Sequence, residues 1–219
     1  MERHFDEELT KLKQSLLHMA DEAQEMIGLA VKSLVERSEA HAHRVLKIEE
    51  GVNRQEIEIE DEVLKLMALH QPAGGDLRFL TAVLKINNDL ERVADQAYNI
   101  GEISLRLLKE PQLKPLIDIP HMARLAQTMI KQSLDALVCH DAALAKKVCE
   151  SDDEVDRLNE QVFRELLTYM MEDTKSITRA VDLILVARNL ERIADHATNI
   201  SEDVIFIEQG KNIKHHQGN

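Results

Sequence analysis

The chain has 219 residues and a formal net charge of -13, with 44% hydrophobic residues but only 7 Gly, 4 Pro and 3% aromatic residues. This composition favours long amphipathic helices over turn-rich sheets. The negative charge disfavours nucleic acid and anionic lipid as general partners, and no stretch reaches the roughly 20 apolar residues of a membrane-spanning helix. We therefore predict an all-α cytoplasmic protein that neither binds nucleic acid nor inserts into a membrane.

The first half of the chain is predicted to form three helices within residues 1–110. Apolar residues recur there at alternating spacings of three and four, which is typical of amphipathic helices. Breaks are predicted near 37–42 and at 71–75. Three of the four prolines then fall in the segment KEPQLKPLIDIP, and because proline disfavours continuous helix we predict a linker over 111–120.

The second half is predicted to form three more helices within residues 121–210, with breaks near 139–141 and 172–176. Asp, Thr and Ser at these breaks suit helix N-caps. A polar tail is predicted over 211–219, where His215 and His216 are weak candidates for metal binding.

The two halves are copies of one three-helix unit. HMADEAQEMIGLAVKSLV, beginning at His18, aligns without gaps with HMARLAQTMIKQSLDALV, beginning at His121, at an offset of 103 residues. LERVADQAYNIGE at 90–102 aligns with LERIADHATNISE at 190–202 at an offset of 100. Internal duplication is the simplest explanation. Short connections favour up-down-up packing, so we predict two tandem antiparallel three-helix bundles, six long helices in all, related by a pseudo-twofold duplication.

The third helix of each copy carries two carboxylates four residues apart, Glu91 with Asp95 and Glu191 with Asp195. Like charges at this spacing share one helix face and repel each other by about 0.2–0.5 kcal/mol. The same side of the helix is apolar in the preceding turns, which favours sheltered carboxylates. Sheltered anions need a counter-charge.

The middle helix of each copy, and the turn that follows each third-helix pair, add oxygen atoms to this acidic side. Carboxylate and amide oxygens from two adjacent helices, without nearby thiols, suit a hard divalent cation or a ferric ion. The predicted metal ligands are Asp152, Asp156, Glu191, Asp195 and Asn199 in the second copy and Glu49, Asn53, Glu91, Asp95 and Asn99 in the first.

Two other interpretations of these acidic residues stay open. They could be solvated helix flanks neutralised by Arg92 and Arg192, which would make the chain a metal-free helical scaffold. A carboxylate-bridged metal pair could also serve a phosphoester hydrolase. The chain lacks the Glu-x-x-His pairs of di-iron bundles, a Ser-His-Asp set and a glycine-rich phosphate loop, so we predict no enzymatic activity and no catalytic residue.

The chain resembles the PhoU family of bacterial regulators associated with the phosphate-specific transport system. The likeness runs nearly end to end. It rests on LERVAD at 90–95, LERIAD at 190–195, Gln71-Pro72 followed by Asp76-Leu77-Arg78, and LLTYMMED at 166–173.

The resemblance implies two three-helix bundles whose Glu/Asp-x-x-x-Asp motifs bind iron or zinc clusters in some members and magnesium or manganese in others. The second copy carries the complete pattern. The first copy departs from it at Asn53, where one charge is lost, so we expect weaker or different metal occupancy there.

The resemblance also implies a cellular role. It implies repression of phosphate uptake and of the phosphate-starvation response, through contact with a sensor histidine kinase and with the ATPase subunit of the phosphate ABC transporter. We accordingly expect a cytoplasmic homodimer that lies at the inner membrane only through these protein partners.

Overall fold

The computed structural model of the protein describes residues 2–210, with side chains from residue 4 onward. The tail over 211–219, with His215 and His216, lies outside the described residues. The helices are α1 (Glu2–Val35), α2 (Glu39–His70), α3 (Gly75–Leu107), α4 (Asp118–Cys139), α5 (Ala142–Glu172) and α6 (Ile177–Gln209), with a short 3-10 turn at Thr174–Ser176. No strand occurs within residues 2–210, and the predicted all-α fold is confirmed.

The helices form two antiparallel bundles, α1–α3 and α4–α6, as the duplication predicted. In the centre, α3 packs against α6 and α1 against α4, and one hydrophobic core extends through both bundles. The leucines that begin the repeated motif, Leu90 and Leu190, are fully buried in it, each stabilising the fold by roughly 1.5–3 kcal/mol. Within the described chain, α2 contacts only α1 and α3, and α5 packs along α4 and α6. The α2–α3 and α5–α6 grooves therefore lie at the two outer sides of the molecule.

Aspartate side chains cap the start of α5, the helix that carries part of the second acidic set, and the 3-10 turn that follows it. The Asp141 carboxylate accepts hydrogen bonds from the backbone N–H groups of Ala143 and Leu144, each at 2.9 Å, and so caps the start of α5. Asp173 accepts one from the N–H of Lys175 at 3.0 Å just before α6. Both caps agree with the predicted breaks.

Buried polar contacts set the position of α3 relative to α6. Asp89 Oδ1 lies 2.8 Å from His196 Nδ1, Lys85 Nζ lies 3.1 Å from an Asp203 oxygen, and Arg106 donates to Asp182 at 2.8 Å. Such pairs are costly to break singly because a buried group then loses its partner. Over residues 2–210, no helix combines the length and the apolar character needed to cross a membrane.

Candidate metal centre

The second-copy carboxylates lie along the outer groove between α5 and α6. Asp152 and Asp156 project from consecutive turns of α5, and Glu191 and Asp195 from consecutive turns of α6. Asp152 and Glu191 are half-buried, whereas Asp156 and Asp195 are exposed. The predicted face-sharing pairs thus occupy neighbouring helices, with one sheltered and one exposed carboxylate on each.

The four charges act on one another across the groove. Burial, and then the negative charges of Asp195, Asp156 and Glu191, together raise the pKa of Asp152 to about 7. Burial and then Asp195 and Asp156 also raise the pKa of Glu191. Asp195 is exposed overall, yet partial desolvation and the charge of Asp156 raise its pKa as well. Shifts of this kind indicate that the carboxylates lie near one another along the groove.

These carboxylates lack a direct counter-charge. The Oδ1 atom of Asp152 is buried without a hydrogen-bond partner. Among the ion pairs of the described residues, none joins a Lys, Arg or His to any of the four carboxylates. Arg188 and Arg192 lower the pKa of Glu191, and His196 and Arg192 lower that of Asp195, without forming an ion pair with either carboxylate. Neutralisation by an Arg192 ion pair, the alternative that the sequence left open, is therefore not the arrangement in this copy.

The carboxylate oxygens are the type of ligand that a hard cation prefers, but they are not arranged in a complete coordination sphere. Within residues 2–210, no three His, Cys, Asp or Glu side chains are grouped so that they could hold a metal ion as they stand. Without a cation, like charges repel, and the exposed side chains of Asp156 and Asp195 are able to turn apart. The unpartnered oxygen of Asp152 is the feature that fits a ligand role most closely.

The first copy is arranged differently in the groove between α2 and α3. Asn53 Nδ2 donates to Glu49 Oε1 at 2.6 Å, and Asn53 Oδ1 is buried without a partner. Arg92 Nε lies 3.4 Å from Glu91 Oε2 and its Nη1 lies 3.6 Å from Asp95 Oδ2. Here the predicted arginine neutralisation is present, although the half-exposed Arg92 makes these pairs weak.

Glu56 is an acidic residue of this groove that sequence reasoning missed. It is one of the carboxylates that raise the pKa of Glu91, after burial and Asp95. Its carbonyl accepts a hydrogen bond of 2.9 Å from Asn87 Nδ2, which holds this turn of α2 against α3 one turn before Glu91. Glu56 therefore belongs to the first acidic set.

The offset of 103 residues explains how Glu56 compensates for Asn53. At that offset Asn53 matches Asp156 and Glu56 matches Asn159, and Asn159 lines the same concavity as Asp156 and Glu191. The amide and the carboxylate have thus exchanged places between successive turns. Each copy keeps four carboxylates, and an alignment extended one turn past the motif would have found this.

Two of the three predicted asparagine ligands, Asn99 and Asn199, do not join these sets. Asn199 Nδ2 donates to Asp89 Oδ1 at 3.3 Å in the α3–α6 interface, and Asn99 is exposed. Each four-residue step turns a side chain by about 40° around the helix. By Asn199 the series that begins at Glu191 has therefore rotated out of the α5–α6 groove toward α3.

Comparison with known proteins identifies the family. The family model for the PhoU domain matches residues 16–104 and again residues 119–204. The chain belongs to the PhoU family. Each matched segment contains one complete acidic set, so the PhoU domain and the acidic groove repeat together.

Several PhoU relatives match over nearly their full length. A protein of Aquifex aeolicus named "Phosphate-specific transport system accessory protein PhoU homolog" is 41% identical over 208 residues, which cover 95% of this chain and 94% of the relative. The crystal structure of PhoU from Pseudomonas aeruginosa superposes with a TM-score of 0.91 at 35% identity, covering 94% of this chain and 100% of that one. A phosphate transport system regulatory protein PhoU from Streptococcus pneumoniae gives a TM-score of 0.89 at 29% identity, covering 95% and 98%.

Proposed function

We propose that this chain is a non-enzymatic, metal-binding regulator of phosphate homeostasis. It restrains phosphate uptake and the phosphate-starvation response by linking the phosphate ABC transporter, through its ATPase subunit, to a sensor histidine kinase. It works in the cytoplasm as a homodimer and reaches the inner membrane only through these partners. The observation that carries the proposal is the full-length similarity to proteins named as accessory proteins of the phosphate-specific transport system.

The acidic grooves supply the metal-binding part of the proposal. Asp152 and Asp156 on α5 would share a cation with Glu191 and Asp195 on α6, and the first copy would use Glu49, Glu56, Glu91 and Asp95. In the second copy the cation would supply the positive charge that no ion pair provides. Oxygen ligands without thiols favour ferric iron, magnesium or manganese, and carboxylates also bind zinc. Because each set joins two helices, its carboxylates would hold an outer helix against its neighbour.

Co-purification tests the adaptor role. We expect tagged protein, isolated from cells of its source organism grown with abundant phosphate, to retain the transporter ATPase subunit and the sensor kinase. Deletion of the gene should release a phosphate-starvation reporter from repression in the same medium. Retention of neither partner, together with an unchanged reporter, would contradict the proposal.

Biochemical measurements test the remaining parts. Elemental analysis of protein purified without chelator should find metal, and chelation should lower the melting temperature. Sedimentation velocity should give a dimer. Turnover of phosphoesters by the metal-loaded protein, lost in Asp195→Ala, would contradict the non-enzymatic assignment.

A further inference from the structure

A cavity of about 340 Å³ lies between α1 and α2 in the first bundle. Leu12 and Ile59 line it and are each only 2% exposed, so its base is apolar. Its volume lies at the lower end of the range of about 300–1,000 Å³ that is typical of small-molecule sites. Six polar side chains complete the lining, and none of them is a proposed metal ligand. They are Lys11, Ser15 and His18 on α1 and Gln55, Glu58 and Glu62 on α2.

The two walls of this cavity differ in chemistry. The three side chains on α1 are spaced by four and three residues, so they share one helix face, and each is able to donate a hydrogen bond. The wall on α2 offers two carboxylates and an amide. Gln55 Nε2 donates to Glu22 Oε2 at 2.5 Å, whereas Gln55 Oε1 is buried without a partner. The second copy has Leu158 at the position of Gln55, so this half-buried amide is particular to the first copy.

The equivalent walls of the second copy are joined by a direct ion pair. At the offset of 103 residues, Lys11 and Glu62 correspond to Lys114 and Glu165, and there the ammonium group contacts the carboxylate. In the first copy Glu62 pairs instead with Lys65 of its own helix, at 3.1 Å. Among the ion pairs of residues 4–210, none includes Lys11. The positive charge of Lys11 at the cavity is therefore available to a ligand.

A second contact between the walls is also confined to the second copy. Gln161 Nε2 donates to Asp118 Oδ1 at 3.5 Å, and these two residues correspond to Glu58 and Ser15. In the described part of the chain, the side chains of Glu58 and Ser15 form no hydrogen bond. The first copy thus keeps donors on one wall and acceptors on the other, with a cavity between them.

A small zwitterion would satisfy both walls at once. Its carboxylate would accept hydrogen bonds from Lys11 and Ser15, and its ammonium groups would donate to the carboxylates of α2 and to Gln55 Oε1. One lysine faces two glutamates, and this excess of negative charge favours a ligand with a net positive charge and disfavours free phosphate. We propose that the α1–α2 cavity binds a free amino acid with a basic side chain, with its carboxylate toward Lys11 and its ammonium groups toward Glu58 and Glu62.

Isothermal titration calorimetry on the full chain tests this inference with four probes. L-lysine has both types of group, cadaverine lacks the carboxylate, and L-glutamate and inorganic phosphate have the wrong net charge. We expect saturable binding of L-lysine with a dissociation constant below about 1 mM. Each of the other three should bind at least about tenfold more weakly, because a charged hydrogen-bonding group of the site is then left without a partner.

Variants assign the two ends of the ligand. Lys11→Met should lower the affinity for L-lysine by about tenfold or more and should not lower that for cadaverine, since only L-lysine has a carboxylate. Glu58→Gln should weaken the binding of both. Lys32→Met is the matched control, because it removes the same charge from an exposed position of α1 outside the cavity, and it should stay within twofold of the native protein. Circular dichroism verifies that all variants keep their helix content.

Four results would overturn the inference. The first is the lack of saturable L-lysine binding by the native protein. The second is binding of cadaverine or inorganic phosphate as tightly as L-lysine. The third is an equal loss of L-lysine affinity in Lys11→Met and Lys32→Met, and the fourth is an unchanged affinity in Glu58→Gln. None of these involves a metal, the transporter ATPase or the kinase, so this inference and the proposed function fail separately.

Discussion

Replacement of Asp152 by Asn should have opposite effects on the metal-free and the metal-loaded protein. The folded state raises the pKa of this carboxyl from 3.8 to about 7, mainly through burial and the charge of Asp195. The metal-free folded protein thus holds the proton more tightly than the unfolded chain does, and its stability falls as the pH rises from about 4 to about 7. Above about pH 7 the ionised Asp152 carboxylate lowers the free energy of unfolding of the metal-free protein, and Asp152→Asn removes that charge.

The magnitude follows from the pKa. A rise from 3.8 to about 7 corresponds to at most about 4 kcal/mol, since one pKa unit is worth about 1.4 kcal/mol. The side chain is only half-buried, and screening by water reduces this to about 1–2 kcal/mol. For a chain of this length, 1 kcal/mol moves the melting temperature by about 2–4 °C. We therefore expect Asp152→Asn to melt several degrees above the native protein in chelator at pH 7.5.

Thermal unfolding with EDTA, and again with saturating manganese or zinc, measures both effects. The native protein should gain stability from metal, and Asp152→Asn should lose most of that gain. Glu154→Gln is the matched control, because it removes the same charge from an exposed position of the same helix that is not among the groups raising the pKa of Asp152, and it should change neither result by more than about 0.5 kcal/mol. A metal-free Asp152→Asn protein that is less stable than the native one, with its metal response intact, would refute the reasoning.

Three further outcomes are expected. Calorimetric metal affinity should rise by up to about tenfold per pH unit between pH 5 and pH 7 and level off above, because Asp152 must lose its proton to bind; an affinity independent of pH over this range would count against its ligand role. Glu56→Gln should lower the metal content measured by elemental analysis, whereas the exposed Glu58→Gln on the same helix should not; equal content in both would exclude Glu56. Asp89→Ala should lower the free energy of unfolding in urea by about 1–3 kcal/mol, because His196 loses its carboxylate partner at the bundle interface; an unchanged midpoint would show that this contact adds nothing.

Much of the fold follows from local patterns in the sequence. Apolar spacing identifies the six helices, and the duplicated segment around Leu90 and Leu190 identifies the two bundles, because burial of these side chains depends on their periodicity along one helix. The capping aspartates Asp141 and Asp173 were also predictable, since an N-cap bonds to backbone only two or three residues away. Local interactions of this kind can be predicted directly from the sequence.

Features that depend on the rotation of one helix against another were harder to predict from the sequence. The sequence placed Asn199 with the carboxylates, but the interface between bundles draws its amide to Asp89. It missed Glu56, whose place in the first groove depends on the contact of α2 with Asn87. It offered Arg92 and Arg192 as equivalent neutralising groups, whereas Arg92 lies within ion-pair distance of Glu91 and Asp95 and Arg192 acts on Glu191 and Asp195 without an ion pair. Which partner a side chain contacts across a helix interface depends on packing that the sequence of one helix alone does not specify.

Anomalous diffraction from crystals of untreated protein, collected at the absorption edges of iron, zinc and manganese, tests the metal centre most directly. We expect an anomalous peak in the α5–α6 groove within bonding distance of Asp152 Oδ1 and of carboxylate oxygens from α6. Carboxylates that point separately into solvent, with no anomalous peak at any edge and no metal in the dissolved crystals, would contradict a metal-binding role for this groove.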